Sequence, residues 1–371
     1  MEDLDLKGKW KFFILNSLAL FTFLFMNIGS SQAATFKDVP SKHPNSSEIE
    51  FLVQEGIIKG YDNLTFKPDN NVTNAQVATM IARTLNLDLE NRPNPNFLDV
   101  SKNHGAYDAI AAVVDERIFP KGKMFYPNEP ITREKMAHVL VNAFDLTGKS
   151  SVRFKDVSTK SSYYAAISTL AANNITTGYT DGTFKPKSPL TRSHFSAFLS
   201  RVLVPDYIPV TGKFKFNKNY QYTFEYIENN GRIGTEVYTY KKSDKNTDLW
   251  SVTDESGSSR NYQSILTDSR FKFFAPKQGN LDEYLKFSIP SPVKLGSTWS
   301  YAYNDSYLSV RYTVTSMSES VDTEAGTFNQ VMEVESTDGY LYYFDQQYGH
   351  ILTYDLDNDQ VVYELIDLKK N

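Results

Sequence analysis

Apolar residues recur with a helical period at three places in the first half of the chain. Each place begins with a threonine, at Thr73, Thr132 and Thr191, and the three threonines are evenly spaced. The fourth, seventh, eighth and twelfth residues after each threonine are apolar: Val77, Met80, Ile81 and Leu85, then Met136, Val139, Leu140 and Phe144, then Phe195, Phe198, Leu199 and Leu203. This spacing forms one stripe along an α-helix. The pattern therefore predicts a threefold repeat.

A second amphipathic pattern precedes each of these helices. Every repeat begins with an aromatic-x-Asp-Val segment, at Phe36–Val39, Phe97–Val100 and Phe154–Val157. A helical stripe follows at the same distance in all three: Ile49 and Leu52, Ile110 and Val113, Ile167 and Leu170. One pair of short helices cannot bury its apolar faces alone. We therefore expect three helix–loop–helix units, at residues 35–88, 96–148 and 153–205, that pack together.

The loops between the two helices are rich in turn residues. The first repeat reads Gly60-Tyr61-Asp62-Asn63-Leu64-Thr65-Phe66-Lys67-Pro68, and the third reads Gly178-Tyr179-Thr180-Asp181-Gly182-Thr183-Phe184-Lys185-Pro186. The Asp-Gly pair and the terminal proline are typical of chain reversal. The second repeat has Phe119-Pro120 where the others have Gly-Tyr.

The aromatic-x-Asp-Val starts, the Gly-Tyr-x-Asp-Gly-x-Phe-x-Pro loop and the Thr-Arg opening of the second helix resemble those of the S-layer homology domain. The resemblance covers roughly residues 35 to 205. It implies a three-repeat α-helical bundle that binds a secondary polysaccharide of a bacterial cell wall without a covalent bond. It also implies that the ligand is an acidic, commonly pyruvylated glycan, bound in grooves between neighbouring repeats.

Arg133 and Arg192 occupy the first position of their helices, directly after a threonine that is expected to cap the helix. A helix N-terminus favours anions, and a guanidinium binds a carboxylate through two hydrogen bonds. Tyr61 and Tyr179 offer flat apolar faces and a hydroxyl to a sugar ring. Together with Gly60, Gly178 and Asp181, these residues form the candidate polysaccharide site.

Other interpretations of the same residues stay open. An arginine in the first turn of a helix is often a solvated charge, and the threonines can serve as caps alone. Asp38, Asp99 and Asp156 can likewise cap the connecting turns. The loop glycines can be needed only for a left-handed backbone conformation.

The first repeat has Asn74 where the other two have Arg133 and Arg192. The third repeat has Ser193 and His194 after its arginine, without the acidic residue typical of the family, and the second repeat lacks the Gly-Tyr pair. Because asparagine carries no charge, its groove is expected to bind an acidic ligand weakly. We therefore predict that one or two grooves, rather than three, support wall binding.

The N-terminus has the order of a secretory signal peptide, assigned to residues 1–34. Lys7, Lys9 and Lys11 precede an apolar run over residues 12–28, and Ser31–Ala34 offers small residues for cleavage. Retention of this segment as an anchor is the alternative. The sequence predicts a secreted protein of the cell wall, with no membrane attachment after cleavage.

Charge and cysteine content narrow the class of protein. The chain has no cysteine, which excludes disulfides, thiolate metal sites and a lipoprotein anchor. Its formal net charge of −5 argues against a nucleic-acid partner.

Residues 211–371 change to an alternating pattern, as in Tyr220, Tyr222, Phe224 and Tyr226. Asn229-Asn230-Gly231 indicates a hairpin turn. Further strands are predicted at 270–274, 298–303, 308–315, 330–335, 340–344, 351–354 and 360–365. Short strands rich in Tyr, Thr and Val favour an all-β antiparallel meander, as a sandwich or a half-barrel. Residues 325–349 weakly resemble the closing region of secreted β-rich domains of Gram-positive bacteria.

Catalytic residues are hard to find in this second part. His350 is its single histidine, and Gly-x-Ser-x-Gly is absent. The pairs Asp282-Glu283 and Glu333/Glu335 are available for glycoside hydrolysis, and the acidic run at residues 355–359 favours a hairpin turn over a calcium loop. We expect a non-catalytic β domain without a metal or other cofactor. The alternatives are a wall-anchored glycan-active enzyme and a carrier of a small apolar ligand.

Overall fold

The computed structural model describes residues 36–227, 231–267, 269–276, 284–302 and 309–371. The expected signal segment, residues 1–34, lies outside them. Among the described residues, the front part contains six helices: α1 (Ser46–Gln54), α2 (Asn74–Thr84), α3 (Tyr107–Asp115), α4 (Arg133–Ala143), α5 (Tyr164–Ala172) and α6 (Arg192–Leu203), followed by a 3-10 turn at Pro205–Tyr207. Within the described ranges, no helix has both the length and the apolar character needed to cross a membrane.

The predicted helical stripes are buried. The fourth, seventh and eighth residues after each threonine are at most 6 % exposed. The isoleucines of the preceding helices are at most 1 % exposed. The helices pack across repeats: α2 contacts α3, α4 contacts α5, and α6 contacts α1. The second helix of each repeat therefore packs against the first helix of the next repeat, and the last repeat packs against the first.

A ring of three backbone hydrogen bonds joins the repeats just before their second helices. The Val72 N–H donates to the Leu190 carbonyl at 2.9 Å, the Leu190 N–H to the Ile131 carbonyl at 2.9 Å, and the Ile131 N–H to the Val72 carbonyl at 3.0 Å. All three side chains are completely buried. Each strand-like segment thus satisfies its backbone groups in its neighbours rather than within its own repeat.

The aspartate of each aromatic-x-Asp-Val segment fixes the loop of its own repeat. Both carboxylate oxygens of Asp38 accept backbone N–H groups, from Phe66 and Lys67, at 2.8 Å each. Asp99 and Asp156 accept equivalent pairs, from Phe125 and Tyr126 and from Phe184 and Lys185. Burial would raise the pKa of Asp38, but these hydrogen bonds and nearby Arg192 lower it below its ordinary value. The interpretation of these aspartates as turn caps is confirmed.

The described residues that follow contain twelve antiparallel strands. They are β1 (Tyr220–Ile227), β2 (Ile233–Asp244), β3 (Thr247–Asp254), β4 (Ser259–Leu266), β5 (Arg270–Ala275), β6 (Tyr284–Pro290), β7 (Thr298–Ala302), β8 (Ser309–Thr323), β9 (Gly326–Ser336), β10 (Tyr340–Asp345), β11 (Gly349–Asp355) and β12 (Gln360–Lys370). Strands β3, β4 and β6 were not predicted. The β1–β2 pairing is confirmed, whereas Asn229 and Asn230 of the predicted turn lie outside the described residues.

These strands belong to one sheet, in the order β6-β5-β4-β3-β2-β1-β12-β11-β10-β9-β8-β7. Two six-stranded meanders are thus joined through the first and last strands. Side chains of β6 and of β7 and β8 line one shared small cavity, so the two edges approach each other and the sheet is nearly closed. The half-barrel alternative therefore fits, whereas a sandwich of two separate sheets was wrong.

Aromatic side chains fill the inside of this curved sheet. Phe216, which precedes β1, has its ring within 4.9 Å of both Tyr222 and Phe273 and 5.7 Å from Trp250, measured between centroids. Trp250 and Tyr222 are completely buried. The Tyr and Phe residues that are abundant in the sequence therefore supply the core of the β part.

The helical and β parts contact each other through a buried ion pair. Glu48 of α1 is fully buried and pairs with Lys294, which lies between β6 and β7 and also donates to the Pro44 carbonyl at 2.9 Å. Val210 and Val293 exchange two backbone hydrogen bonds nearby. Separating the two parts would expose Glu48 and Lys294 without their partners.

Candidate functional site

At the N-termini of α2, α4 and α6, the second helices of the three repeats, the first backbone N–H groups are already hydrogen-bonded to the protein. At α4, the Arg133 N–H donates to the Ser188 carbonyl at 3.0 Å, the Glu134 N–H donates to the Pro186 carbonyl at 3.0 Å, and the next N–H donates to the Thr132 hydroxyl. The equivalent first two bonds join Asn74 to Glu129, Ala75 to Pro127, Arg192 to Asn70 and Ser193 to Pro68. The three threonines are N-caps, and Thr73 forms a capping box with Gln76.

The expectation that these helix ends present unpaired N–H groups to a ligand was therefore wrong. The carbonyl groups of the next repeat's loop accept those N–H groups, because the repeats pack in a ring. A ligand at these contacts must instead be bound by side chains.

Arg133 lies in the contact between the second and third repeats. It is 7 % exposed, and its Nε donates to the Phe184 carbonyl at 2.7 Å. Its guanidinium carbon lies 4.6 Å from the ring centre of Phe184 and 5.0 Å from that of Tyr179. The Lys185 ammonium lies 3.9 Å from the same Tyr179 ring. Two cations therefore surround one tyrosine of the neighbouring repeat.

Arg192 forms the matching contact between the third and first repeats. It is 7 % exposed, and its Nε donates to the Phe66 carbonyl at 2.8 Å. An Nη donates to the Lys59 carbonyl at 2.9 Å. Its guanidinium carbon lies 5.2 Å from the Tyr61 ring, and the Lys67 ammonium lies 4.2 Å from that ring. The two arginines and the two tyrosines named from the sequence thus pair across repeats.

Both arginines are buried without an ionic partner. Within the described residues, no carboxylate lies within ion-pair distance of either guanidinium. Burial lowers the pKa of both groups, an effect that Tyr179 and Asp156 partly offset at Arg133 and that Tyr61 and Asp38 partly offset at Arg192. A buried cation without a counter-charge favours an anion that enters its groove.

The third contact, between the first and second repeats, has a different chemistry. The Asn74 amide donates to the Tyr126 carbonyl at 2.8 Å, and its own carbonyl oxygen is buried without a hydrogen bond among the described residues. Tyr126 stands where the other loops have Lys67 and Lys185. Lys135 lies 5.5 Å from the Phe125 ring, and burial lowers its pKa, a shift that the charges of Glu129 and Asp99 partly oppose.

The two departures from the repeat pattern therefore fall in the same place. Asn74 belongs to the first repeat and the loop that begins Phe119-Pro120 belongs to the second, but the structure brings them into one contact. The other two contacts each retain an arginine, a lysine and a tyrosine.

The loop glycines are required by close approach to the first aromatic residue of their repeat. A Cβ atom on Gly60 would lie 2.1 Å from the Phe36 ring, and one on Gly178 would lie 2.4 Å from Phe154. Gly178 also has a φ of +74°, whereas Gly60 has no left-handed conformation. The left-handed interpretation is thus confirmed at Gly178 and wrong at Gly60.

Asp181 is exposed and acts within its own turn. Its Oδ1 accepts the Thr183 N–H at 2.9 Å and the Thr183 hydroxyl at 2.6 Å. The bonds from Thr183 lower the pKa of Asp181, and Lys185 and Lys155 contribute to the same shift. Asp181 is therefore placed to shape the loop that presents Tyr179.

A cavity of about 440 Å³ adjoins Arg192. It lies between α2 and the segment before α3, and its walls include Thr73, Gln76, Arg83 and His104 as well as Arg192. Sequence reasoning missed Arg83 and His104, because their proximity to Arg192 depends on how the repeats pack.

The β part brings together a different set of polar residues. Lys286, Glu236, Tyr238 and Tyr363 form a hydrogen-bonded cluster beside a cavity of about 840 Å³. None of them was singled out from the sequence. Glu333 and Glu335 do not line this cavity, and Asp282 and Glu283 lie outside the described residues.

The acidic run after β11 is a hairpin turn, as predicted. Asp355 accepts the backbone N–H groups of Asp357 and Asn358 and the Asn358 side-chain amide. In the described part of the chain, no group of three or more His, Cys, Asp or Glu residues is placed to hold a metal ion.

Comparison with known proteins agrees with the geometry of the helical part. The S-layer homology domain family matches residues 35–78, 96–137 and 153–196. The chain is 33% identical over 172 residues to the S-layer protein sap of Bacillus anthracis, a match that covers 45% of this chain and 21% of that protein. It is 32% identical over 182 residues to a cellulosome-anchoring protein of Acetivibrio thermocellus, covering 45% and 38%.

An endoglucanase of a Bacillus species is 31% identical over 188 residues, covering 48% of this chain and 19% of the enzyme. The chain thus spans between about a fifth and two fifths of the length of these relatives. The expected localisation, secreted and associated with the cell surface, agrees with the relatives and is confirmed. The recurring loops, the capping threonines and the family match together show that residues 35–78, 96–137 and 153–196 are S-layer homology domains arranged in tandem.

Proposed function

We propose that the helical part anchors this chain to the bacterial cell wall by binding an acidic secondary wall polysaccharide in the grooves between its repeats. S-layer homology domains anchor proteins to the cell wall. In this proposal residues 35–88, 96–148 and 153–205 are the three repeats, and residues 211–371 form a non-catalytic β domain that is displayed at the surface.

The burial of Arg133 and Arg192 without carboxylate partners carries the proposal. A buried guanidinium loses its hydration, and a protein normally compensates this loss with a paired acid. Here the described residues provide aromatic rings and backbone carbonyls instead. An acidic group on the polysaccharide would supply the missing negative charge.

A pyruvate ketal fits this chemistry, because its carboxylate can accept two hydrogen bonds from the outer amino groups of one guanidinium. The Arg133 Nε is bound to Phe184, so its two outer amino groups face the ligand, and they make no hydrogen bond to the described protein. Tyr179 and Lys185 would then contact the sugar that bears the carboxylate. Arg192 lies against Tyr61 and Lys67 in a similar way, but one of its outer amino groups already donates to the Lys59 carbonyl at 2.9 Å.

Two of the three contacts support binding in this proposal. The contact that contains Asn74 lacks the arginine, the Gly-Tyr pair and the lysine that follows the loop phenylalanine in the other two contacts. These residues are missing because two altered segments, one from the first repeat and one from the second, meet in this contact. We therefore narrow the earlier expectation of one or two grooves to two.

Sedimentation with purified walls tests the proposal. The chain from residue 35 onward, rather than a fragment, is used because separating the two parts would expose Glu48 and Lys294. Removing the partner of a buried charge typically weakens binding by about 2–5 kcal/mol, or roughly 30-fold to several thousand-fold. We expect Arg133→Ala and Arg192→Ala each to weaken wall binding, and the double variant to abolish it.

Arg153→Ala is the matched control, because Arg153 is an exposed arginine of the same part of the chain. Walls from which acid has removed the secondary polysaccharide should not bind the unaltered chain. Undiminished binding by the double variant, or equal binding to the extracted walls, would show that the anchor acts through other residues or another ligand.

A further inference from the structure

A large cavity in the described part of the β domain has no role in the proposed anchor. Its volume of about 840 Å³ lies within the range of small-molecule sites, about 300–1,000 Å³. It is lined from both six-stranded meanders of the sheet, by residues of β2, β4 and β6 on one side and of β10, β11 and β12 on the other. The nearly closed sheet therefore forms a cup.

A hydrogen-bonded cluster at the cavity wall fixes one carboxylate. Glu236 Oε2 accepts from Lys286 Nζ at 2.7 Å, from the Tyr363 hydroxyl at 2.7 Å and from the Tyr238 hydroxyl at 3.1 Å. Lys286 also donates to both tyrosine hydroxyls. The three hydrogen bonds that Glu236 accepts therefore all go to Oε2. The other oxygen, Oε1, makes no hydrogen bond to the described protein and can accept one from a ligand.

His350 lies beside this cluster but keeps its ring nitrogens inside the protein. It lines the cavity and is 3 % exposed. Its Nε2 bonds to the Thr353 hydroxyl at 2.8 Å, and its Nδ1 is completely buried. A ligand in the cavity therefore does not reach Nδ1.

Among the described residues that line the cavity, positive and negative charges are equal in number. The cations are Lys286 and Arg260, and the carboxylates are Glu236 and Asp355. Tyr340 and Tyr342 lie on the same face of β10 and also line the cavity, with their ring centres 6.2 Å apart. The site thus combines aromatic rings, a fixed carboxylate oxygen and a balanced charge.

We infer that this cup binds an uncharged saccharide, a ligand class with apolar ring faces for the tyrosines and hydroxyl groups for Glu236. A sugar hydroxyl donates to Glu236 Oε1. Tyr340 and Tyr342 contact the flat C–H faces of adjacent sugar rings. An acidic ligand would gain no net attraction from a wall in which two cations face two carboxylates.

An apolar ligand does not fit this wall. It would separate Lys286 and Glu236 from water and leave Glu236 Oε1 without a hydrogen bond, at a substantial cost. Glycoside hydrolysis is also disfavoured at Glu236. Its pKa is shifted upward by burial but is lowered overall by Lys286 and the two tyrosine hydroxyls, whereas a general acid needs a raised pKa.

Titration calorimetry of the chain from residue 35 onward tests the inference. The probes are the neutral tetramers of N-acetylglucosamine, glucose in β-1,4 linkage and xylose, with tetragalacturonate as the acidic comparison and N-phenyl-1-naphthylamine as the apolar one. We expect at least one neutral tetramer to bind with a Kd of about 1 mM or tighter. Tyr342→Ala and Tyr340→Ala should each weaken this binding at least tenfold.

Tyr354→Ala is the matched control, because Tyr354 lies on β11 but does not line the cavity. Glu236→Gln keeps the side-chain shape and should weaken binding, since an amide replaces the charged acceptor. Circular dichroism shows whether each variant is folded. The inference is overturned if no neutral tetramer binds, if only the acidic or apolar probe binds, or if Tyr354→Ala weakens binding as much as Tyr342→Ala. Wall sedimentation is not used, so the result is independent of the proposed anchor.

Discussion

The helical part and the β part bury positive charge in opposite ways. In the helical part, Arg133 and Arg192 are 7 % exposed and contact aromatic rings and carbonyl groups, without an acid among the described residues. In the β part, the Lys286 side chain is 14% exposed and binds Glu236 directly. The same protein therefore contains buried cations without an ion-pair partner and a buried cation with one.

The difference relates each site to a class of ligand. A cation that lacks a partner inside the protein is stabilised by an anion from outside. A cation that is already paired adds no net attraction for charge, but it holds its partner in a fixed position. Counting charged residues would not distinguish the two cases, because the ion-pair partner decides.

The largest effect that can break this comparison concerns Lys286. Lys286→Met should destabilise the β part by about 3–5 kcal/mol, because it leaves Glu236 buried without its counter-charge. Arg192→Met should cost less, about 1–3 kcal/mol, since it leaves only the Phe66 and Lys59 carbonyls without a donor. Urea unfolding measures both changes.

The two parts can be followed separately in this experiment. From residue 35 onward, the tryptophans are Trp250 and Trp299, both in strands of the β part, so their fluorescence reports the β part. Circular dichroism at the helical band reports the helices. An Arg192→Met cost equal to that of Lys286→Met would mean that the arginine is mainly structural, which contradicts the comparison.

His350 sharpens the comparison through pH. Burial, with a smaller effect of nearby Lys286, lowers its pKa to about 3, whereas an unfolded histidine titrates near 6.5. Because the folded pKa is lower, the unfolded state binds the proton first as the pH falls. The stability of the β part should therefore be unaffected by this group above about pH 6.5, and should fall by about 2 kcal/mol at pH 5.

His350→Gln is the informative variant, because glutamine does not titrate. Relative to the unaltered chain, it should remove most of the loss of tryptophan-monitored stability between about pH 6.5 and pH 5. The loss of stability that remains at acid pH belongs to other groups, including Glu236. Because the pKa of Glu236 is lowered, its protonation destabilises the fold only at lower pH. An unchanged pH profile in His350→Gln would show that His350 is not held neutral in the folded state.

The smallest effect is expected at Asn74, the position equivalent to the two arginines. Asn74→Ala removes one hydrogen bond to Tyr126 but no charge, so wall sedimentation should change less than about threefold. A loss comparable to that of Arg133→Ala would show that all three contacts bind the polysaccharide.

The sequence was a good guide to the helical part, because its information is local. Helical spacing predicted the buried stripes, and Thr73, Thr132 and Thr191 were recognised as caps from the residues that follow them. It failed at the helix ends, where the acceptors of the first N–H groups, such as Ser188 for Arg133, lie in another repeat. A pattern within one repeat does not show which other repeat accepts hydrogen bonds from its unpaired backbone N–H groups.

The β part was predicted less well for a related reason. Strands β3 and β4 carry many polar residues, so their alternation is weak, and β6 follows a segment outside the described residues. Glu236 and Lys286 meet only because the sheet curves until β2 and β6 share one cavity wall. Strand periodicity tells which face a residue occupies, but not which side chains face each other across a closed sheet.

The ring of hydrogen bonds among Val72, Ile131 and Leu190 fixes the number of repeats. An open stack of repeats has two ends, which need special capping units, and it can grow or shrink by one unit. A ring that closes after three has no end, so a fourth unit would find no unpaired partner and a missing unit would leave both its neighbours exposed. A repeat that has lost its own ligand contact must therefore be kept. The contact that contains Asn74 is then needed because it completes the ring of three repeats. Its surface residues can change, whereas the buried residues that join the repeats cannot.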